Sequence, residues 1–142
     1  MYELFLHGDK AKLDITVYGF ENPKATNESD ASWLTVHVDV KLPNFGANYD
    51  AAFTIQNFEY FSNEMAEALN KIEEQPEVNF YTDEEMLRFS MRFTKTGKVS
   101  ISGKSQIHDK PRAVLDFYFE ADLYTVENFY KQVNKMLKEL KQ

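Results

Sequence analysis

The sequence predicts an α+β fold, a mainly antiparallel β-sheet of about eight strands with two amphipathic helices, and three observations predict it. Several segments alternate apolar and polar residues with period two, two others repeat apolar residues at helical spacing, and the strand-like segments follow one another through short turns. Short connections favour antiparallel meanders, and an antiparallel sheet with one wet face buries the other under helices.

In chain order, strand signals cover Tyr2 to Leu6 and Lys12 to Phe20, separated by the turn residues Gly8-Asp9. The alternation is clearest from Leu34 to Leu42. There Leu34, Val36, Val38, Val40 and Leu42 point one way, and Thr35, His37, Asp39 and Lys41 the other. Tyr49 to Ile55 forms the fourth segment. Helical spacing then takes over: Phe58, Phe61, Met65, Leu69 and Ile72 fall on one face, with Asn57 read as the N-cap and Glu59 in the first turn. Strand signals return over Glu77 to Thr82, over Leu87 to Phe93, over Lys98 to Ile107 after the Thr96-Gly97 turn, and over Leu115 to Glu120. The last helix presents Val126, Phe129, Val133, Met136 or Leu137, and Leu140, with Thr125 read as its N-cap and Glu127 in its first turn. Four strands and a helix are thus followed by four strands and a helix, the order a ββββα duplication would leave. Trp33, a lone tryptophan at a strand start after a long polar loop, is expected in the core.

At 142 residues, 43% hydrophobic and 15% aromatic, the chain is expected to be one domain, residues 1–142, with a core of its own. With no cysteine there is no disulfide framework, thiolate metal site or cysteine nucleophile. Neither a basic, apolar leader nor a membrane-length apolar run is present, so the expected location is the cytoplasm, and the Asn27-Glu28-Ser29 sequon is a chance match. The formal charge of -7 disfavours nucleic acid and anionic membranes as partners and would steer a basic protein inward.

Chemistry finds little support. His7, His37 and His108 are far apart, with no metal-ligand spacing. Nucleophile elbow, dinucleotide turn and phosphate loop are all missing, so no catalytic residue, cofactor site or metal site is assigned. Asp39, Asp116 and Glu120 project from wet strand faces and could supply an acid and a base for hydrolysis; cross-strand charge pairing is the commoner role. Lys131, Lys135 and Lys138 on the last helix read as a solvated face that complements the helix dipole. The acidic clusters Glu73-Glu74 and Asp83-Glu84-Glu85, at turns flanking one strand, are the candidate partner-binding residues, a negative rim suited to a basic protein.

One family shares this order of features. Tyr2-Glu3-Leu4-Phe5-Leu6 opens the chain, followed by Gly19-Phe20-Glu21-Asn22-Pro23 and Asp30-Ala31-Ser32-Trp33-Leu34. Phe45-Gly46 precedes a strand, a helix follows Asn57, a hairpin runs from Lys95 to Gly103, and Leu123-Tyr124 enters the last helix. Over nearly its whole length the chain resembles the WapI immunity family. The resemblance implies a non-catalytic cytoplasmic bacterial antitoxin that binds the C-terminal toxin domain, commonly a nuclease, of a wall-associated contact-dependent inhibition protein. Its motifs carry no toxin-contacting residues onto this sequence, so the acidic clusters rest on charge and turn position alone. The competing reading is a binding module for a small apolar ligand, in which the phenylalanines and tyrosines line a cavity between sheet and helices. The oligomeric state is left open.

Overall fold

Two β-meanders, each ending in a helix, follow one another along the chain. The structure, a computed structural model, covers residues 1–142. In the first meander β1 (Tyr2–His7), β2 (Lys12–Phe20), β3 (Trp33–Lys41) and β4 (Gly46–Thr54) pair antiparallel in that order, and α2 (Ile55–Leu69) follows without a loop. In the second, β5 (Glu77–Tyr81), β6 (Leu87–Phe93), β7 (Lys98–Ile107) and β8 (Ala113–Asp122) repeat the pattern, and α3 (Leu123–Leu140) follows directly. The eight strands and two long helices are those expected, arranged as two four-stranded sheets. Two small elements were not foreseen: α1 (Glu28–Ala31), capped by the Asn27 side chain, and a 3-10 turn over Ile72–Glu74. Four residues or fewer leave no periodicity to read.

Period-two alternation fixes the inner faces. Leu34, Val36, Val38 and Val40 of β3 are fully buried, as are their register partners Leu13, Ile15 and Val17 on β2. Thirty-three buried hydrophobic residues from both sheets and both long helices form one cluster. Inside it, Phe53, Phe58, Phe61, Phe80, Phe89 and Phe129 pack ring against ring at centroid separations of 5.0 to 6.4 Å. These are the offset and edge-on distances aromatic pairs favour. The space in which an apolar ligand would sit between sheet and helices is filled by these rings, which weighs against the ligand-module reading.

The two halves exchange their helices. The first half's α2 lies beside β5, the second half's α3 lies beside β1, and the helices touch each other, with Ser62 Oγ donating to Asn134 Oδ1. On the β1 edge, Gln132 Oε1 accepts the Phe5 backbone N–H at 2.8 Å, occupying a donor that an edge strand leaves open. The turns are exchanged too. The β5–β6 turn meets β4, where Tyr49 Oη donates to the Met86 carbonyl at 2.6 Å, and the β1–β2 turn meets β8. A Cβ on Gly8 would stand 2.2 Å from the Glu120 carbonyl oxygen, so only glycine permits that approach.

Three expectations are corrected. Asn57 and Thr125 are not the N-caps: Thr54 caps α2 and Asp122 caps α3, each accepting from the backbone N–H three residues on, at 3.3 and 2.7 Å. Both helices begin on the last residue of a strand, so the cap falls inside the alternating segment. Glu59 and Glu127 accordingly lie beyond the first turns, which hold no acid. Trp33 is half-buried and outside the core cluster, because with Leu34 turned inward strand alternation turns Trp33 outward.

Candidate partner-binding surface

Ten acidic residues and a single base, Lys71, lie between residues 42 and 87, a formal -9 within a chain of net -7. The fold gathers much of that charge around α2. This helix and β5 run antiparallel, since Ile72–Glu74 leads from the helix end into β5, and β5 returns to the helix start. Asn57 makes the join. Its Oδ1 accepts the Thr54 N–H at 2.9 Å, completing a capping box, and its Nδ2 donates to Asp83 Oδ1 at 2.9 Å. Asp83 is therefore held at the start of α2 while Glu73 and Glu74 follow its end. Between them, Glu64 and Glu67 are exposed along a helix of about 22 Å.

Each acidic cluster is exposed. The structure does not bring the two together: they stand at opposite ends of β5, about 17 Å of strand apart at roughly 3.3 Å per residue. What links them is α2, whose outward acids sequence reasoning passed over. The run of ten acids against one base was a legible signal; its gathering around one helix was not, because it depends on α2 crossing to the other half.

The backbone of the turn carrying Asp83, Glu84 and Glu85 is held by several hydrogen bonds. Thr82, nearly fully buried, donates its hydroxyl to the Leu87 carbonyl at 3.0 Å, and the Glu85 N–H returns to the Thr82 carbonyl at 3.0 Å. Glu85 adopts a left-handed φ of 57°, and the Met86 carbonyl accepts from both Tyr49 Oη and the Gln106 N–H. Burial pushes the Tyr49 phenol up to about 12. Ser105 Oγ is buried without a hydrogen-bond partner, since Tyr49 gives its proton to the Met86 carbonyl. A turn held in this way has its backbone in place before binding, leaving the exposed Glu84 and Glu85 side chains to be ordered by a partner.

Charge on the sheet faces is arranged differently. There most acids pair, Glu3, Glu120 and Asp122 excepted: Asp14 with His7 at 2.7 Å and Lys12 at 2.9 Å, Asp39 with Lys12 at 3.6 Å, Asp50 with His37 at 2.7 Å, Glu77 with Arg92 at 3.5 Å, and Asp116 with Lys104 at 3.7 Å. The remaining pair, Lys141 with Glu59, ties α3 to α2. None of Glu64, Glu67, Glu73, Glu74, Asp83, Glu84 and Glu85 forms an ion pair. The pairing of His37 with Asp50 follows from the register of β3 against β4, in which they are direct partners.

The carboxylates considered for hydrolysis do not converge. Asp39 belongs to the first sheet, while Asp116 and Glu120 share one face of β8 four residues apart, about 13 Å. No group of three or more His, Asp or Glu residues is arranged to hold a metal ion. No helix is long and apolar enough to cross a membrane.

A family model described as the Immunity protein WapI-like family matches residues 4–141. The chain belongs to this WapI-like immunity family. Membership gives it an antitoxin role and a cognate toxin protein as its partner. No match was found among curated proteins or among solved structures. For a WapI-like immunity protein the surface to seek is one that meets another protein, and the unpaired carboxylates around α2 and β5 are its strongest concentration of uncompensated charge.

Proposed function

We propose that this WapI-like protein acts in the cytoplasm as the antitoxin that binds and neutralises the C-terminal toxin domain, a nuclease, of a wall-associated contact-dependent inhibition protein. Its acidic α2–β5 surface makes the contact. Family membership across nearly the whole chain carries the antitoxin role. The seven unpaired carboxylates gathered around α2 and β5 carry the choice of surface, since a nuclease that grips phosphate offers a basic cleft, and carboxylates can occupy such a cleft in place of phosphate. The task needs no catalytic residue. Asp83, Glu84 and Glu85 on their hydrogen-bonded turn form one anchor, Glu73 and Glu74 the other.

The test is co-expression with the toxin domain encoded beside this gene, scoring survival and co-purification. Rescue with a stable complex is expected. The triple reversal Asp83→Lys, Glu84→Lys, Glu85→Lys should then slow association at low salt by at least about tenfold, with the difference fading near 1 M salt, where the screening length falls to ~3 Å. Absence of both rescue and complex would refute the antitoxin reading for that pair. Rescue unaffected by the reversal would instead move the contact elsewhere on the molecule.

A further inference from the structure

The second sheet has an outer face that the antitoxin role leaves unused, and its composition is unlike the acidic surface. Register places Asn79, Ser90, Ser102 and Tyr118 in one row across the four strands, and Tyr81, Arg88, Lys104 and Asp116 in the next. Two serines on the central strands beside a row of long side chains leave a depression of about 380 Å³, lined by Tyr81, Arg88, Ser90, Ser102, Lys104 and Asp116.

Hydrogen-bond donors outnumber acceptors in that depression. Arg88 forms neither an ion pair nor a side-chain hydrogen bond, although it is exposed and shares its row with Asp116. Lys104 stands 3.7 Å from Asp116, beyond hydrogen-bond length, and that carboxylate is 79% exposed. Ser90 uses its proton on Asn79 Oδ1 at 2.6 Å, whereas the Ser102 hydroxyl has no side-chain partner. A guanidinium fork, an ammonium and a free hydroxyl around one hollow call for a ligand with several acceptor oxygens and negative charge. Tyr81, 59% exposed at the rim, adds an aromatic face beside Arg88. Asp116 is the one opposing charge in the lining, and the exposed Asp83, Glu84 and Glu85 stand on the adjoining turn.

We infer that this depression is a binding site for a small oxyanion, with Arg88 gripping the anionic group, Lys104 and Ser102 completing its donors, and Tyr81 available to stack on an aromatic portion of the ligand. The site lies on the outer sheet face beside the acidic turn that joins Tyr81 to Arg88, and it does not depend on the toxin.

The experiment is a ¹H–¹⁵N NMR titration of the full chain at fixed ionic strength with three probes: inorganic phosphate, AMP and glutamate. Saturable shifts at Arg88, Ser90, Ser102 and Lys104 are expected from at least one of them. Phosphate and AMP without glutamate would identify a phosphate ligand, and glutamate without the others a carboxylate. Arg88→Ala should weaken binding at least about tenfold, the scale of losing a hydrogen bond to a charged group. Asp116→Asn should strengthen it several-fold by removing the like charge, an effect with the opposite sign to damage. Tyr81→Ala should weaken AMP while sparing phosphate. No saturable shift from any probe, shifts shared equally with Lys131, Lys135 and Lys138, or binding unchanged in Arg88→Ala would each overturn the site.

Discussion

The two halves of this molecule share an element order and differ in charge and in the material of their seams. Each is a four-stranded meander running straight into a helix that docks beside the other half's first strand. Even the first turns correspond, with left-handed Lys10 at 60° in one and Glu85 at 57° in the other. Yet residues 1–70 hold eleven acids and four bases, while residues 71–142 hold twelve of each. The helices divide likewise: α2 has three acids and no base, whereas α3 carries Lys131, Lys135 and Lys138. Architecture requires the inward residues of both halves to be apolar and leaves the outward ones free, so the halves differ in which apolar side chains they bury and, outward, in charge.

The seams give the largest expected effect. Phe80 of β5 touches four other rings, so Phe80→Ala should lower unfolding free energy by about 3–5 kcal/mol. Leu4→Ala, in the aliphatic β1 seam, should cost about 2–5 kcal/mol. Denaturant unfolding of both variants would show whether the ring cluster dominates; a Leu4 effect larger than that of Phe80 would break this view. Next come the helix starts. Asn57→Ala removes half of a buried capping box and the tether to Asp83, and should cost about 1–3 kcal/mol.

The corresponding cap at α3 is exposed and should show itself through pH. The Thr125 backbone N–H beside Asp122 holds its carboxyl below the ordinary 3.8. A depressed folded-state value means that the contribution is complete above 3.8 and is lost as pH falls through the lower folded value. The stability gap between wild type and Asp122→Asn should therefore narrow in acid, measured by thermal melts at a series of pH values. Tyr49 gives the opposite sign. Its phenol rises from 10.0 to about 12, so its contribution is complete below pH 10 and declines as pH approaches 12; Tyr49→Phe should flatten that alkaline loss. Smallest of all, Ser105→Ala removes a buried hydroxyl that has no partner, and calorimetry should find it neutral or slightly stabilising.

Much of this fold was legible because burial imposes periods on the chain. Leu34 through Val40, and Leu87 through Phe93, could hardly be other than half-buried strands, and Phe58, Phe61 and Met65 mark the inner face of α2. The helix caps were misplaced because Thr54 and Asp122 serve a strand and a helix at once, and period-two reading assigns them wholly to the strand. Trp33 was misjudged because residue type was weighed above its phase against Leu34. The candidate surface was half legible: Glu73, Glu74 and Asp83 through Glu85 announce themselves as charge at turns. Their relation to Glu64 and Glu67 depends on a helix docking onto the other half, and no local signal encodes that.

The Phe5–Gln132 hydrogen bond joins residues 127 positions apart, and it sets an order of events during synthesis. As the chain leaves the ribosome, β1 emerges early and pairs with β2, but its outer edge stays bare until α3 is made more than a hundred residues later. Through that interval the nascent chain carries a sticky strand edge that other unfinished chains could join. Rapid translation of the second half, or a chaperone that shields β1, should raise the yield of soluble protein.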